Sequence, residues 1–224
     1  MRRLYHEVML ELGHAIIGAT YAEGMWLPNV DALYERFGCS KGVVREALRG
    51  LEERGLVEVH PGRGAKVRQR ELWDTRNPHV LRACIERGPE PDMLWQAIQA
   101  RAAVECEAAA RAIESAADGD FRLLLANIEA MERASAGPEF VAAEVWFHRT
   151  LALLSDNALL AKLSEPLHGV LAQIRRERAP QRDGATIRHH RRILEGLSSR
   201  DTELATESIL GYAERLSDWV GARR

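Results

Sequence analysis

The 224-residue chain is short of the residues that mark several functional classes. It holds three cysteines, Cys39, Cys84 and Cys106, odd in number and without paired spacing. That excludes a disulfide framework and a cysteine-built metal knuckle, and leaves small apolar side chains in a reducing compartment. No apolar run approaches the ~18 residues that cross a bilayer, and the opening Met-Arg-Arg-Leu-Tyr-His-Glu lacks the apolar core of a secretion signal. The expected location is the cytoplasm, with no membrane partner. An excess of one charge is also missing: the formal net charge is −2, which excludes a uniformly basic coat for nucleic acid. What is present, 46% hydrophobic and 29% charged residues, suits a globular chain of two modest domains. The charge is unevenly placed. Residues 36–70 carry nine Arg or Lys against four Asp or Glu, whereas residues 71–224 carry 20 basic against 24 acidic.

The basic stretch has an order of its own. Leu33, Phe37, Val44, Leu48 and Leu51 recur at helical spacing, and Gly38 and Ser40 interrupt them where a tight turn would join two short helices. Ser40 is placed to cap the second helix. Lys41, Arg45 and Arg49, four residues apart, share one face of that helix, and Val44, Leu48 and Leu51 share the opposite one. After it, Leu56 to Val59 and Ala65 to Arg68 alternate apolar and polar around Pro61-Gly62-Arg63-Gly64, the pattern of a β-hairpin. Two helices and a hairpin predict a winged helix-turn-helix. Arg45 and Arg49 suit base edges, Ser40 and Lys41 suit phosphates, and Gly62 lets the wing backbone approach a duplex with Arg63 beside it. A solvated charge face is the bland alternative for any one of these residues; their joint occurrence favours DNA.

A first helix is expected over Leu4 to Ile17, from the stripe Leu4, Val8, Leu12, Ala15 and Ile16. The predicted organisation is a DNA-binding domain over 1–70, a linker with a short helix near His79 to Glu86 over 71–91, and an all-α bundle over 92–224. Trp73 is expected to pack between the domains. Turn signals at 117–120, 136–138, 156–157 and 180–184 separate candidate helices 92–114, 120–134, 139–154, 158–178, 185–198 and 201–220, the fourth broken at Pro166 and Gly169.

Within the bundle, Arg101 sits among alanines with Glu105 one turn on, which reads either as an internal ion pair or as a fork for a ligand carboxylate. Glu144 and His148 are likewise one turn apart and can meet one metal ion, although a hydrogen-bonded core pair is the commoner use of such a pattern. His190 lies on the stripe of Ile193, Leu194 and Leu197, with His189 facing elsewhere. Tyr212 lies on the inward face of the last helix, where its hydroxyl needs a partner.

The run FGCSKGVVREALRGLEERGLVEVHPGRGAKV resembles the DNA-binding domain of the GntR superfamily of bacterial transcription regulators, over roughly residues 4 to 68. The resemblance implies that Ser40, Lys41, Arg45 and Gly62 sit at the DNA. Two departures stand out: Val30 and Asp31 replace a common Glu and Arg, and Lys41 replaces the usual Arg. The runs ARAAVECEAAARAI, AEVWFHRTLALLSDNALL and RHHRRILEGLSSRDTELA are similar to the FCD ligand-binding domain of the FadR-like branch. Many such domains hold a divalent metal through one Asp and three His; the matching positions here are Glu144, His148, His190 and Tyr212. The resemblance therefore implies two alternatives. One divalent ion such as Zn or Ni is held by Glu144, His148 and His190, or an anionic effector is bound directly by Arg101, His148, His190 and Tyr212.

Together these readings predict a homodimeric, ligand-responsive regulator that binds operator DNA, a repressor in the manner usual for the family, released by a small organic acid. The Trp-bearing linker and ARAAVE segment look most like the branch that answers to sugar acids such as galactonate. The competing class is a metal-dependent enzyme built on Glu144, His148 and His190, but no nucleophile motif or phosphate loop accompanies them, and it leaves the basic winged helix unused.

Overall fold

The computed structural model describes residues 2–87, 91–134, 137–177 and 184–221. Turns expected at Gly88 to Glu90, at Ala136 and at Pro180 to Asp183 lie outside these residues. The chain divides into two compact units, Met1–Gly88 and Pro89–Arg224.

In the first unit, α1 (Arg2–Ile17) lays its apolar stripe on α3 (Lys41–Glu52), with α2 (Val30–Phe37) packed beside α3. Val8, Leu12 and Ile16 from α1 meet a core of Leu33, Val44, Ala47, Leu48 and Leu51, all buried, because the 3.6-residue period turns these positions inward together. Both helices of the motif start on side-chain caps: Asn29 Oδ1 accepts from Ala32 N at 2.8 Å, and Ser40 Oγ accepts from Val43 N at 3.3 Å. Strands β1 (Val57–His60) and β2 (Gly64–Val67) pair antiparallel in the register Val57 to Val67 and His60 to Gly64. Met25 to Leu27 adds backbone to the far edge of β2: Leu27 N donates to Ala65 O and Val67 N donates to Met25 O, each at 2.8 Å. After a 3-10 turn at Arg70–Leu72, α4 (Pro78–Arg87) packs on α1 inside this unit, in the region where the sequence suggests a linker. Trp73 is buried, its Nε1 donating to Arg68 O at 3.2 Å.

The second unit is all helix among the described residues: α5 (Pro91–Ser115), α6 (Phe121–Arg133), α7 (Pro138–Leu154), α8 (Ala158–Ser164), α9 (Gly169–Glu177), α10 (Gly184–Ser198) and α11 (Thr202–Gly221). Helix α5 is central, flanked by α7 and α11; α10 lies against α11 and α6, and α6 against α7. Alanines 97, 102, 108, 109 and 112 fill the buried side of α5 and let its neighbours approach closely. The expected break at Pro166 and Gly169 is a 3-10 turn, Glu165–His168, between α8 and α9. No helix among the described residues is long and apolar enough to cross a membrane.

Candidate functional site

Two sets of polar side chains stand out, one in each unit. In the first, Gly38 ends α2 at φ 57°, a left-handed conformation that glycine adopts without steric cost. The chain can then turn sharply and present Ser40 at the start of α3. Lys41, Arg45 and Arg49 are exposed on one face of α3, while Val44, Leu48 and Leu51 are buried on the other. Across the turn Lys41 forms an ion pair with Asp31, and Arg49 pairs with Glu46 at 2.9 Å. Arg45 makes no ion pair among the described residues.

The wing is closed by Arg63 N donating to His60 O at 3.0 Å, with Gly62 at φ 73°. Pro61 and Gly62 thus occupy the central positions of a type II turn, which needs a positive φ at the second. A groove of about 470 Å³ separates the wing from α3, and its walls include Asp31, Arg45, Arg49, Gly62 and Arg63. The structure therefore brings Arg45, Arg49, Gly62 and Arg63 together, and leaves Ser40 and Lys41 outside that lining, at the N-terminus of α3. Sequence reasoning missed Trp26, whose ring lies under Arg63 with the guanidinium carbon 4.6 Å from its centroid. Nothing local in the sequence marks it, because the contact depends on the Met25 to Leu27 edge pairing with β2.

In the second unit, five elements send polar groups into one buried cluster. Arg101 and Glu105 come from α5, Glu144 and His148 from α7, His168 from the 3-10 turn, His190 from α10 and Tyr212 from α11, all buried. Arg101 Nη1 donates to Glu105 Oε1 at 3.0 Å, so the ion pair suggested by their spacing forms. The Tyr212 hydroxyl donates to the Glu144 carboxylate. His190 Nδ1 lies 2.7 Å from Thr186 O, and His190 Nε2 lies 3.1 Å from His148 Nε2. The Tyr212 ring stacks parallel to that of His148, with centroids 5.9 Å apart. His189, expected to face elsewhere, is half-buried with its ring 5.6 Å from that of Tyr212.

These contacts restrict where protons can be. A carbonyl oxygen only accepts, so His190 carries its proton on Nδ1 and presents a lone pair at Nε2. The nitrogen facing it, His148 Nε2, either donates a proton to it or shares a cation with it. On its other side His148 Nδ1 is 3.0 Å from Glu105 Oε1, close enough for an ion pair but outside hydrogen-bond angles. Burial holds His148 well below its ordinary pKa of 6.5, with Arg101 adding to the effect, and pushes His190 down to about 3 and His168 to about 4. Burial raises the Glu105 carboxyl against the pull of Arg101. The imidazoles are thus neutral, the form that ligates metals and accepts hydrogen bonds.

Among the described residues no three His, Cys, Asp or Glu side chains stand together in a metal-holding arrangement. Arg101 Nε, Glu105 Oε2 and His168 Nε2 are buried and have no hydrogen-bond partner among the described residues. His168 carried no signal beyond its place between Pro166 and Gly169.

Both halves of the chain match known families. Residues 4–67 match "Bacterial regulatory proteins, gntR family", and residues 96–214 match the FCD domain. The galactonate operon transcriptional repressor of Escherichia coli is 26% identical over 208 residues, covering 91% of this chain and 90% of that one. The HTH-type transcriptional regulator LutR of Bacillus subtilis is 32% identical over 152 residues, covering 67% and 68%. Among solved structures, Lar of Listeria monocytogenes overlays with a TM-score of 0.64 at 18% identity, covering 98% of this chain and 97% of that chain. Escherichia coli McbR/YncC gives 0.57 at 18% identity, covering 98% of each. These two likenesses speak for the fold. With a basic helix and wing in one unit and an enclosed polar cluster in the other, the chain belongs to the gntR family of bacterial regulatory proteins, as a DNA-binding transcription regulator with an FCD domain.

Proposed function

We propose that this regulator is a cytoplasmic, homodimeric repressor that leaves its operator when a small carboxylate or sugar acid occupies the cluster of α5, α7, α10 and α11. The observation that carries the effector half is the set of buried atoms without a hydrogen-bond partner among the described residues, Arg101 Nε, Glu105 Oε2 and His168 Nε2. Leaving a buried polar group unpaired costs about 1–3 kcal/mol. A ligand bearing both a carboxylate and hydroxyl groups supplies an acceptor for Arg101 and matching groups for Glu105 and His168. The kinship with a galactonate operon repressor points to the same chemistry. His148, His190 and Tyr212 line the same cluster and complete the direct effector site.

A second reading is favoured by the two imidazole nitrogens 3.1 Å apart. The Nδ1–H of His190 is held by a backbone carbonyl, as in many metal-ligating histidines. Glu144, turned from the Tyr212 hydroxyl that it now accepts from, would join His148 and His190 around one divalent ion of the Zn or Ni class, which would supply a positive charge for the effector's carboxylate.

On the DNA, Arg45, Arg49 and Arg63 read or flank bases while Ser40, Lys41 and the Gly62 backbone meet phosphates. Two copies would occupy half-sites about one helical turn apart. Effector and operator then weaken each other's binding reciprocally. The test uses a 30-base-pair duplex enriched by the protein from a random library. Arg45→Ala should weaken binding about 5- to 150-fold, the equivalent of ~1–3 kcal/mol for a bidentate base contact, with an unchanged circular dichroism spectrum. Galactonate or a related sugar acid should release the wild type, and metal analysis separates the two effector readings. Failure to enrich any duplex, or full affinity in Arg45→Ala, overturns the proposal.

A further inference from the structure

The basic groups of the DNA-facing unit are held in two different ways. Lys41 and Arg49 are tied to carboxylates, Asp31 and Glu46. Arg63 has no carboxylate partner among the described residues, and its guanidinium carbon lies 4.6 Å from the Trp26 ring centroid. The difference matters chemically. A carboxylate occupies the in-plane N–H groups that DNA would need, whereas stacking uses only the guanidinium face and leaves those donors free at its edge. An unanchored arginine on a hairpin tip would also surrender rotamer freedom on docking.

Trp26 is itself fixed. It is bridged to Lys66 on β2, its neighbours Met25 and Leu27 bond to Val67 and Ala65, and the His60 ring lies 5.1 Å from its own. The ring is thus tied by backbone to the hairpin that carries the arginine.

We propose, resting on the DNA-binding reading above, that Trp26 is the positioning residue of the wing. It holds Arg63 over its ring, without a carboxylate on the guanidinium N–H groups, so that these donors enter the minor groove of the duplex whose major groove receives α3. A narrow A·T-rich minor groove, with its enhanced negative potential, is the surface such an arginine fits.

The experiment is a double-mutant cycle on the full chain, read by fluorescence anisotropy with the library-enriched duplex. Trp26→Ala should weaken binding about two- to five-fold, the equivalent of an exposed cation–π contact, and Trp26→Phe should restore most of it while Trp26→Leu should not. In the Arg63→Ala background Trp26→Ala should add nothing, since the group it positions is gone. An equal loss in both backgrounds, or Leu restoring affinity as well as Phe, shows that Trp26 only packs the wing and overturns the inference while DNA binding stands. Comparing Leu with Phe keeps the test decisive if the alanine variant does not fold. If no duplex is enriched, the inference falls together with the DNA reading.

Discussion

Replacing Asp31 by Asn removes a carboxylate that lines the groove between α3 and the wing and holds the ammonium of Lys41. Both side chains are more than half exposed, so their attraction is worth only ~0.2–1 kcal/mol. DNA competes for Lys41 against that amount. Freeing it should tighten binding about 1.4- to 5-fold at low salt, by the rule that ~1.4 kcal/mol is tenfold. Salt dependence gives a sharper signature. One additional phosphate contact steepens the slope of log K against log salt by about 0.9, so the advantage of Asp31→Asn should shrink about 3.5-fold between 50 and 200 mM.

Stability should move the other way. Asp31 sits in the first turn of α2, where a negative charge meets the positive end of the helix dipole and contributes ~0.3–1 kcal/mol. The variant should therefore melt slightly earlier while binding more tightly. Anisotropy titrations of the library-enriched duplex at four salt concentrations, beside thermal melts, measure both. An unchanged salt slope with equal or weaker affinity would refute the idea that Asp31 restrains Lys41, and would point to the carboxylate accepting a hydrogen bond from a base amino group instead.

Two further outcomes concern the bundle. Gly196 faces the start of α11 so closely that an added Cβ would lie 2.5 Å from Ala205 N and 2.8 Å from Ala205 Cα; because backbone must yield, Gly196→Ala should cost ~1–3 kcal/mol, and an unaltered melting temperature would contradict the close contact of α10 with α11. His168 should make the protein acid-sensitive. Its folded form stays neutral down to about pH 4, whereas in the unfolded chain it takes up a proton near 6.5. The unfolded state therefore binds more protons between those values, and stability falls as the pH drops through that window. Between pH 7.5 and 5 wild type should lose ~2 kcal/mol more than His168→Gln. Glu105, raised by burial, works in the opposite direction in both proteins, and because its charge also acts on His168 it trims the difference without reversing its sign. Equal pH slopes for the two, in chemical denaturation, would remove His168 from the account.

The parts of the fold that were legible in the sequence are those set by short-range rules. Val44, Leu48 and Leu51 fall on one side of α3 and Lys41, Arg45 and Arg49 on the other because 3.6 residues make a turn, and Ser40 caps that helix because its oxygen reaches an amide three residues on. The wing turn followed from Pro61-Gly62, although the strands run 57–60 and 64–67, since the His60 to Arg63 bond draws His60 and Gly64 into the ladder. Arg101 with Glu105 was legible for the same reason, as neighbours one helical turn apart. Contacts between elements were not legible. Trp26 beneath Arg63 requires β2 to accept a further backbone edge, Lys41 with Asp31 requires the crossing of α2 and α3, and His168 turns inward because a 3-10 segment rotates side chains by a different angle from the α-helix either side of it.

That division also separates the side chains that hold the fold from those left to act. On the DNA face, Glu46 and Asp31 occupy Arg49 and Lys41, and Arg45 and Arg63 keep their donors free of carboxylates among the described residues. In the bundle, Tyr212 occupies Glu144 and Thr186 occupies one nitrogen of His190, while Arg101 Nε, Glu105 Oε2 and His168 Nε2 are buried with no hydrogen-bond partner among the described residues. Exposed donors without partners cost little, because water serves them until DNA replaces it. Buried ones carry their desolvation penalty continuously. The effector half of the chain therefore holds free energy that a ligand of matching polarity can recover, whereas in the DNA half the one such buried atom among the described residues is His60 Nε2 on the wing. An effector that recovers it shifts the equilibrium only by as much as it binds the released state better than the operator-bound one.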